Sequence, residues 1–329
     1  MNARLSCSTL AERVVSEMDV SKPRGGTELL LESLHARLAP EALDGINLIL
    51  SNTDPSLLKA NQINVLWNHH SYDQAAVANL KHQKYLEAVD HFVYVSHWQY
   101  EKFRMAFKIP DGKSTVIKNA IESLDLIEKP PKLKLVYAST PWRGLKVLLD
   151  SFEQLNRDQV ELDIYSSTII YGSEFDRQNR ATFEPLFDRA RGMKNVFYKG
   201  YAPNSVVRAA LQNAHILAYP STWQETSCLT AIEAAMAGCH VVTTNFGALP
   251  ETLAEWGTYV AIDGDESALT RRYTAALQKS VDEYWDLKVQ QRLRAQHEYF
   301  KRFYTWEVRQ SQWSDFLNVL KLNASSVRV

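Results

Sequence analysis

The chain has 329 residues, 45% of them hydrophobic and 23% charged, and its formal net charge is −1. This length suggests about two domains, and the composition is typical of a globular protein. The balanced charge and the lack of a basic tail exclude non-specific nucleic-acid binding. No apolar run approaches the roughly 20 residues that a helix needs to span a bilayer.

The cysteines and the N-terminal stretch indicate the compartment. The three cysteines, Cys7, Cys228 and Cys239, are an odd number without metal-clamp spacing, which argues against a disulfide framework. The N-terminal stretch is too polar for a signal peptide. We therefore predict a reduced, cytoplasmic protein in which Cys228 and Cys239 are small buried residues rather than nucleophiles.

A group of basic residues bears on whether the protein contacts a membrane. Six basic residues leave open a peripheral contact with the inner face of a membrane, with a solvated helix face as the alternative. These residues are Lys81, His82, Lys84, Lys102, Arg104 and Lys108.

The first part of the chain alternates strands with helices. Residues 1–20 have no clear strand, although Leu10 to Val20 has a helical pattern. Gly25 and Gly26 follow, and glycines here allow a ligand close to the backbone. The alternation predicts parallel βα units. The predicted elements are helix Leu29–Leu38, strands Ile46–Leu50, Ile63–Trp67 and Phe92–Val95, and helices Tyr72–Leu86 and His97–Phe107.

A break at Lys129-Pro130-Pro131-Lys132 predicts an inter-domain linker, after which a second alternation begins. Its roughly six strands are enough for a doubly wound domain. The predicted strands are Leu133–Ala138, Leu162–Tyr165, Val196–Tyr198, Ile216–Tyr219, Val241–Thr243 and Tyr259–Ala261. The predicted tail helices are Glu266–Ser280, Val281–Phe300 and Trp306–Leu322.

The segment from Tyr219 to Gly238 carries the densest signal. It places Glu225 and Glu233 eight residues apart, the first in a strand-to-helix loop and the second two turns down an Ala-rich helix. Both carboxylates can then face a cleft at the carboxyl end of a sheet, where open α/β folds bind ligands. Carboxylates accept bonds from hydroxyls and helix amides hold phosphates, so the pair suits a sugar nucleotide. For Glu233 alone, a solvent-facing helix position is the alternative.

This segment, with weaker ones elsewhere, resembles the family 4 glycosyltransferases, which are retaining enzymes of the GT-B fold. The similarity covers roughly residues 22–320, and its specific part is the Glu-x7-Glu spacing in a strand–helix context. The weaker segments are Gly25–Glu28, Val95–Trp98, Val116–Ile121, Lys199–Gly200 and Gly247–Glu251.

The resemblance implies an α/β protein with two Rossmann-like domains that face each other across a cleft. Residues 1–125 would form the acceptor domain, with the C-terminal helix 306–323 packing back on it. Residues 126–305 would form the nucleotide-sugar donor domain. Hinge motion near residues 120–131 would close the cleft.

The resemblance also implies roles for individual residues. Glu225 would contact the donor sugar, and Glu233 would accept hydrogen bonds from the ribose hydroxyls. Other matching residues would hold the base, phosphate or sugar, largely through their backbone. They are Gly25, Gly26, Lys199, Tyr201 and the run Thr226, Ser227, Cys228 and Leu229.

Arg143 matches a basic residue that neutralises the donor diphosphate as it departs. The family usually has a further arginine just upstream, where this chain has Ser139 and Thr140; Lys146 either compensates or is a surface residue.

His69 follows a first-domain strand and matches a histidine that faces the donor sugar. A metal ligand and a structural residue are its alternatives. Asp263-Gly264-Asp265 is similar to a metal motif of a different glycosyltransferase fold, but we predict a turn and a helix N-cap there. We therefore predict no metal site.

Together these features predict a metal-independent, retaining glycosyltransferase that needs no cofactor besides its donor. It would move a hexose from a UDP- or GDP-sugar to a hydroxyl of a glycan or lipid-linked acceptor. A GT-B-like epimerase or phosphorylase is one alternative. A non-catalytic sugar-nucleotide-binding or scaffolding subunit is another.

Overall fold

The computed structural model describes residues 25–155 and 160–326. Residues 1–24 lie outside this part of the chain, and with them Cys7 and the helical pattern from Leu10 to Val20. The described residues form two separate β-sheets, each with every strand parallel to its neighbours and with helices between the strands. The predicted α/β class is therefore confirmed.

The first sheet has four strands in the described residues, in the spatial order β1-β2-β3-β4. The last of them was not predicted, because it has three residues and no apolar run. The strands are β1 (Ile46–Leu50), β2 (Ile63–Asn68), β3 (His91–Tyr94) and β4 (Ser114–Val116), and the α-helices of this half are α1 (Gly26–His35), α2 (Gln83–Ala88) and α3 (His97–Phe107).

The single helix predicted over Tyr72–Leu86 is wrong. The structure has a 3₁₀ segment, Ala75–Lys81, followed by the short α2. The reason is a competing partner: the amide and the hydroxyl of Thr53 both donate to the carbonyl of Ala76, at 3.0 and 2.8 Å. An α-helix would need that carbonyl for its own ladder.

The second sheet has the predicted six strands, in the order β10-β9-β8-β5-β6-β7. Its central strands are buried on both faces, as parallel strands covered by helices must be. The strands are β5 (Leu133–Ala138), β6 (Val160–Tyr165), β7 (Val196–Tyr198), β8 (Ile216–Tyr219), β9 (His240–Thr244) and β10 (Gly257–Val260). The helices are α4 (Leu145–Phe152), α5 (Ser173–Gly192), α6 (Asn204–Asn213), α7 (Leu229–Met236), α8 (Leu249–Leu253), α9 (Glu266–Asp282), α10 (Leu287–Phe303) and α11 (Trp306–Ser326).

The tail differs from prediction at one point. α9 runs on to Asp282 and α10 begins only at Leu287, whereas one helix was expected to start at Val281. Between them the chain turns so that Tyr284 and Trp285 pack against His215, with ring centroids 5.0 and 5.4 Å away.

Helix α11 packs on the first sheet, although it follows the second in the chain. Trp313 meets Trp67 of β2 at 4.8 Å between ring centroids, and both rings are buried. At the crossing, the buried Arg309 donates to the backbone oxygens of Lys118 and Phe303, at 2.8 and 2.7 Å. The domain boundary at residues 125 and 126 stays a prediction, as does the hinge.

The part of the chain that the structure describes has no helix long and apolar enough to cross a membrane. Two of the basic residues considered for membrane contact are engaged locally. Arg104 pairs with Glu101 at 2.9 Å, and the Lys102 ammonium lies 5.9 Å from the Trp98 ring centroid. Peripheral membrane contact stays a prediction.

Lys129 ties the linker to the second half. Its ammonium donates to the backbone oxygens of Gln212 and Ala237, each at 3.1 Å, and to that of Ala214. One side chain thus satisfies three carbonyl groups.

We expect Lys129→Met to lower the free energy of unfolding by about 2 kcal/mol, because buried carbonyls lose a charged donor. Lys132→Met is the matched control, since Lys132 makes a surface ion pair with Glu161 at 3.0 Å. Its loss should stay below about 1 kcal/mol. Urea unfolding would measure both, and equal losses would contradict the role given to Lys129.

Candidate active site

A cleft of about 940 Å³ lies between the two sheets. The strand order of the second sheet reverses at β5, between β6 and β8, and loops after these strands form one wall of the cleft. The start of α1 and the loop after β2 form the other wall. Every residue predicted from the sequence to bind donor or catalyse lines this cleft, except Lys199.

Glu225 and Arg143 form an ion pair in the wall, in which Glu225 is buried and the Arg143 side chain is 23% exposed. Oε1 of Glu225 accepts from Nη1 of Arg143 at 2.9 Å and from the Tyr219 hydroxyl at 2.5 Å. Burial alone would lower the pKa of Arg143, but the Glu225 carboxylate raises that pKa well above its ordinary value. Burial raises the pKa of Tyr219, so its hydroxyl keeps its proton and stays a hydrogen-bond donor. The guanidinium also lies over the Trp223 ring, 5.5 Å from its centroid.

Two glycines allow this arrangement. Gly247 has φ +66°, and a Cβ there would lie 2.3 Å from the backbone oxygen of Glu225. Gly144 has φ +107°, and its Cβ would lie 2.1 Å from the backbone oxygen of Pro220. A side chain at Gly144 would push the loop of Arg143 away from Pro220, and one at Gly247 would push the loop after β9 away from the backbone of Glu225.

Arg143 is the one lysine or arginine among the described residues that line the cleft. Lys146 does not compensate for the missing arginine. Its ammonium binds Asp150 at 2.8 Å and Glu266 at 2.6 Å, and it does not line the cleft.

Neutral hydroxyls stand in the region of the missing arginine. Thr140 and Ser166 follow the paired strands β5 and β6, so their loops are adjacent. Both hydroxyls are buried and have no hydrogen-bond partner within the described structure, and the same holds for Nε of Arg143. This corner of the cleft can therefore offer three unused donors to a ligand.

His69 is held as a neutral side chain. Its Nδ1 lies 3.1 Å from the Ser51 hydroxyl, its ring packs 4.6 Å from that of Trp67, and its Nε2 is buried without a partner in the described chain. Burial and the neighbouring His70 lower the pKa of His69 to about 3. Across residues 25–155 and 160–326, no group of three or more His, Cys, Asp or Glu residues could hold a metal ion.

Glu233 is buried on α7 and faces the same cleft. Its Oε1 lies 3.3 Å from Nε of Arg208 on α6, a pairing that the sequence did not reveal. Burial raises the pKa of Glu233 to about 7, although Arg208 acts in the opposite direction. The solvent-facing alternative for Glu233 is thus wrong.

Several bonds join the two walls. The Thr226 hydroxyl donates to the backbone oxygen of His69 at 2.7 Å, and the Ser71 hydroxyl donates to Gln224 at 3.0 Å. Further out, the Glu251 carboxylate accepts from the first two amides of α3, at 2.9 and 2.8 Å. These polar contacts therefore join the two walls of the cleft beside His69 and further out at the start of α3.

Lys199 and Cys228 differ in how they relate to the cleft. The Lys199 amide donates to the backbone oxygen of Ile164 at 2.8 Å, and its ammonium lies 5.3 Å from the Phe197 ring centroid. Its neighbours Gly200 and Tyr201 line the cleft, whereas Lys199 does not. Cys228 is the buried N-cap residue of α7, and burial raises the pKa of its thiol. Cys228 and Cys239 are both buried, as predicted.

The Asp-Gly-Asp segment is a turn and helix cap, as predicted. Gly264 has φ +73°, and the Asp265 carboxylate accepts from the Ala268 amide at 2.7 Å to cap α9. This segment does not line the cleft.

The two parallel sheets around one cleft match the GT-B glycosyltransferase fold, and solved structures of that class superpose on the chain. Residues 116–296, more than half of the chain, match the family model described as "Glycosyl transferases group 1". The chain belongs to this family. The family and the structural neighbours support its classification as a glycosyltransferase.

Two curated proteins are similar to parts of this chain. One is a component of phosphatidylinositol N-acetylglucosaminyltransferase from Arabidopsis thaliana, which is 23% identical over 74% of this chain and 53% of its own length. An uncharacterized 41.2 kDa protein in the cps region of Klebsiella pneumoniae is 24% identical over 41% of this chain and 43% of its own length. The chain thus spans about half the length of the curated relatives it matches.

Solved structures share the fold at low identity. A glycosyltransferase from Rickettsia africae ESF-5 has a TM-score of 0.63 and 13% identity, covering 92% of this chain and 84% of its own. Anabaena HepE with UDP-glucose has a TM-score of 0.63 and 16% identity, covering 89% and 82%. Sucrose-phosphate synthase from Thermosynechococcus elongatus has a TM-score of 0.64 and 17% identity, covering 90% and 79%.

The raised pKa of Glu233 predicts a pH-dependent stability. The folded protein keeps a proton on Glu233 up to about pH 7, whereas the unfolded chain loses it near 4.5. This contribution is complete below pH 4.5 and is lost as the pH rises through 7. Glu233→Gln removes this pH dependence, so the stability of the variant relative to wild type should rise by up to about 3 kcal/mol between pH 4.5 and pH 8.

Urea unfolding of wild type and Glu233→Gln at pH 5 and pH 8 would measure this gain. The exposed Glu128→Gln is the matched control and should show no such trend. A difference between wild type and Glu233→Gln that does not change with pH would contradict the prediction.

Proposed function

We propose that the chain is a retaining, metal-independent hexosyltransferase. It transfers a hexose from a UDP- or GDP-sugar to a hydroxyl of a glycan or a lipid-linked acceptor. The observation that carries the proposal is the shared cleft of Glu225 and Glu233, with the first held by Arg143 and the second one helix turn deeper along α7.

The cleft offers complementary groups for each part of a nucleotide sugar. Glu225 and the backbone at the start of α7 would bind the sugar hydroxyls, and Glu233 would accept from the ribose. The Gly25–Gly26 amides, Arg143 and the free hydroxyls of Thr140 and Ser166 would bind the diphosphate. The base would lie against Gly200 and Tyr201.

The structural neighbours favour uridine as the base. HepE was solved with UDP-glucose, and the pneumococcal O-GlcNAc transferase GtfA was solved with UDP and GlcNAc. A guanosine donor remains the alternative within the same proposal.

Retention follows from attack on the face that the leaving group departs from. The bond between the sugar C1 and the diphosphate oxygen breaks, and the acceptor oxygen bonds to C1 on the same face. The acceptor proton passes to the departing diphosphate, which serves as the base. The protein contributes position and charge: Arg143 stabilises the developing negative charge, and the neutral His69 presents its free Nε2 without adding charge.

Glu225→Gln tests the sugar contact with little change in shape. We expect the rate of transfer to fall at least about 100-fold, because the carboxylate acceptor and the partner of Arg143 are weakened together. Affinity for the bare nucleoside diphosphate should change by less than about threefold. The exposed Glu255→Gln is the control. Near-normal turnover in Glu225→Gln would contradict the role of Glu225 in binding the donor sugar.

A thermal-shift screen of UDP, GDP, ADP and their sugars tests the donor. A bound nucleotide raises the melting temperature by mass action, and we expect the largest rise with UDP or UDP-sugars. Release of free nucleotide from the sugar would show catalysis. Tight binding with no hydrolysis or transfer for any donor and acceptor would instead fit a non-catalytic sugar-nucleotide-binding subunit.

A further inference from the structure

We infer that Arg208 is a positioning residue that keeps Glu233 ionised and oriented for the ribose diol of the donor. This inference rests on the proposed function, since it takes the ligand of Glu233 to be a nucleotide. Arg208 would not touch the nucleotide itself; it would act through the carboxylate.

The geometry places Arg208 behind Glu233. Its neighbour Val207 lines the cleft, as does Glu233, whereas Arg208 does not. Helix α6 packs beside α7, and the guanidinium reaches Oε1 of Glu233 from that side, at 3.3 Å from Nε. The Glu233 side chain is 9% exposed and that of Arg208 is 21% exposed.

The guanidinium has few other partners. Nε and Nη2 of Arg208 are both buried and make no conventional hydrogen bond within the described residues. Its ion pair with Glu233 is therefore the contact that offsets its burial. Loss of either partner would leave the other charge without compensation.

The ionisation state of Glu233 decides how its carboxyl group can bind the ribose hydroxyls. An ionised carboxylate can accept from two vicinal hydroxyls, but a protonated one must donate through one oxygen and accepts more weakly. Burial raises the pKa of Glu233 to about 7, which is close to neutral pH. Without Arg208 opposing that effect, most copies would hold a proton where the ribose needs an acceptor.

Other titratable groups nearby have different partners. Cys228 at the start of α7 is a buried, protonated thiol. Glu251 on α8 binds the amides of α3, His240 on β9 binds Thr258, and His297 on α10 binds the backbone oxygen of Met236. Arg208 is thus the charged group that acts on Glu233.

The test compares a nucleotide with its 2′-deoxy form, so that any effect on phosphate binding cancels. Calorimetry would give the dissociation constants of UDP and 2′-deoxy-UDP between pH 6 and 8.5, or of the guanosine pair if wild type prefers GDP. Wild type should prefer the ribonucleotide about tenfold or more at pH 8, with the preference fading as the pH falls through about 7.

Arg208→Met should lose most of that preference at pH 7, and the midpoint of its pH dependence should move upward. Affinity for 2′-deoxy-UDP should change by less than about threefold. Arg208→Lys retains a cation and should restore much of the preference. Arg177→Met, which removes an exposed arginine paired with Glu174, should behave as wild type. Arg208→Gln replaces the methionine variant if the latter does not fold.

An unchanged ribose preference and an unchanged midpoint in Arg208→Met would overturn the inference. Equal loss of affinity for both nucleotides would also overturn it, because the effect would then be structural or long-range. If wild type binds no nucleotide at all, the proposed function fails and this inference fails with it.

Discussion

The ion pair of Arg143 and Glu225 is the constraint on which the cleft depends. A carboxylate that is buried beside a tyrosine hydroxyl needs a cation, and the partly buried guanidinium of Arg143 supplies it. The pair therefore locks the loop after β5 to the loop after β8, across the point where the strand order reverses. Gly144 lies against the backbone of Pro220, which keeps these two loops close, and Gly247 in the loop after β9 lies against the backbone of Glu225. Donor binding must work around this pair rather than create it.

A second pair of a carboxylate and an arginine lies one helix turn away and also affects the charge of the cleft. Glu233 is paired with Arg208, so each buried motif carboxylate has its own arginine. Arg143 is the one lysine or arginine among the described residues that line the cleft, and His69 on the opposite wall is neutral. Under the proposed function, phosphate recognition would depend on neutral donors, such as the hydroxyls of Thr140 and Ser166 that have no partner in the described residues, more than on a cluster of cations. Ser139 and Thr140 stand where the resemblance to family 4 glycosyltransferases implies an arginine.

Contacts between the two halves hold the walls of the site together. The Glu251 carboxylate caps α3 in the other half, while Thr226 and Ser71 bridge the walls beside the histidines. The linker is fastened by Lys129, and the chain returns through α11 to bury Trp313 against Trp67. Each of these bonds joins residues more than 100 positions apart, apart from those of Lys129 to Gln212 and Ala214, so local sequence patterns could not have indicated them.

The sequence alone determined the alternation of strands and helices, the six strands of the second sheet and the placement of Glu225 and Glu233 on one cleft. Those features follow from apolar periodicity and from the fixed geometry of a strand followed by a helix. The sequence did not determine the split of the predicted Tyr72–Leu86 helix, where Thr53 binds the carbonyl of Ala76. It also did not determine the three-residue strand β4 or the exposed position of Lys199. Only the tertiary structure decided that Arg208 pairs with Glu233 and that Lys146 turns away from the cleft. The reason is that a charge is satisfied by its nearest partner in space, and sequence spacing carries no record of that distance.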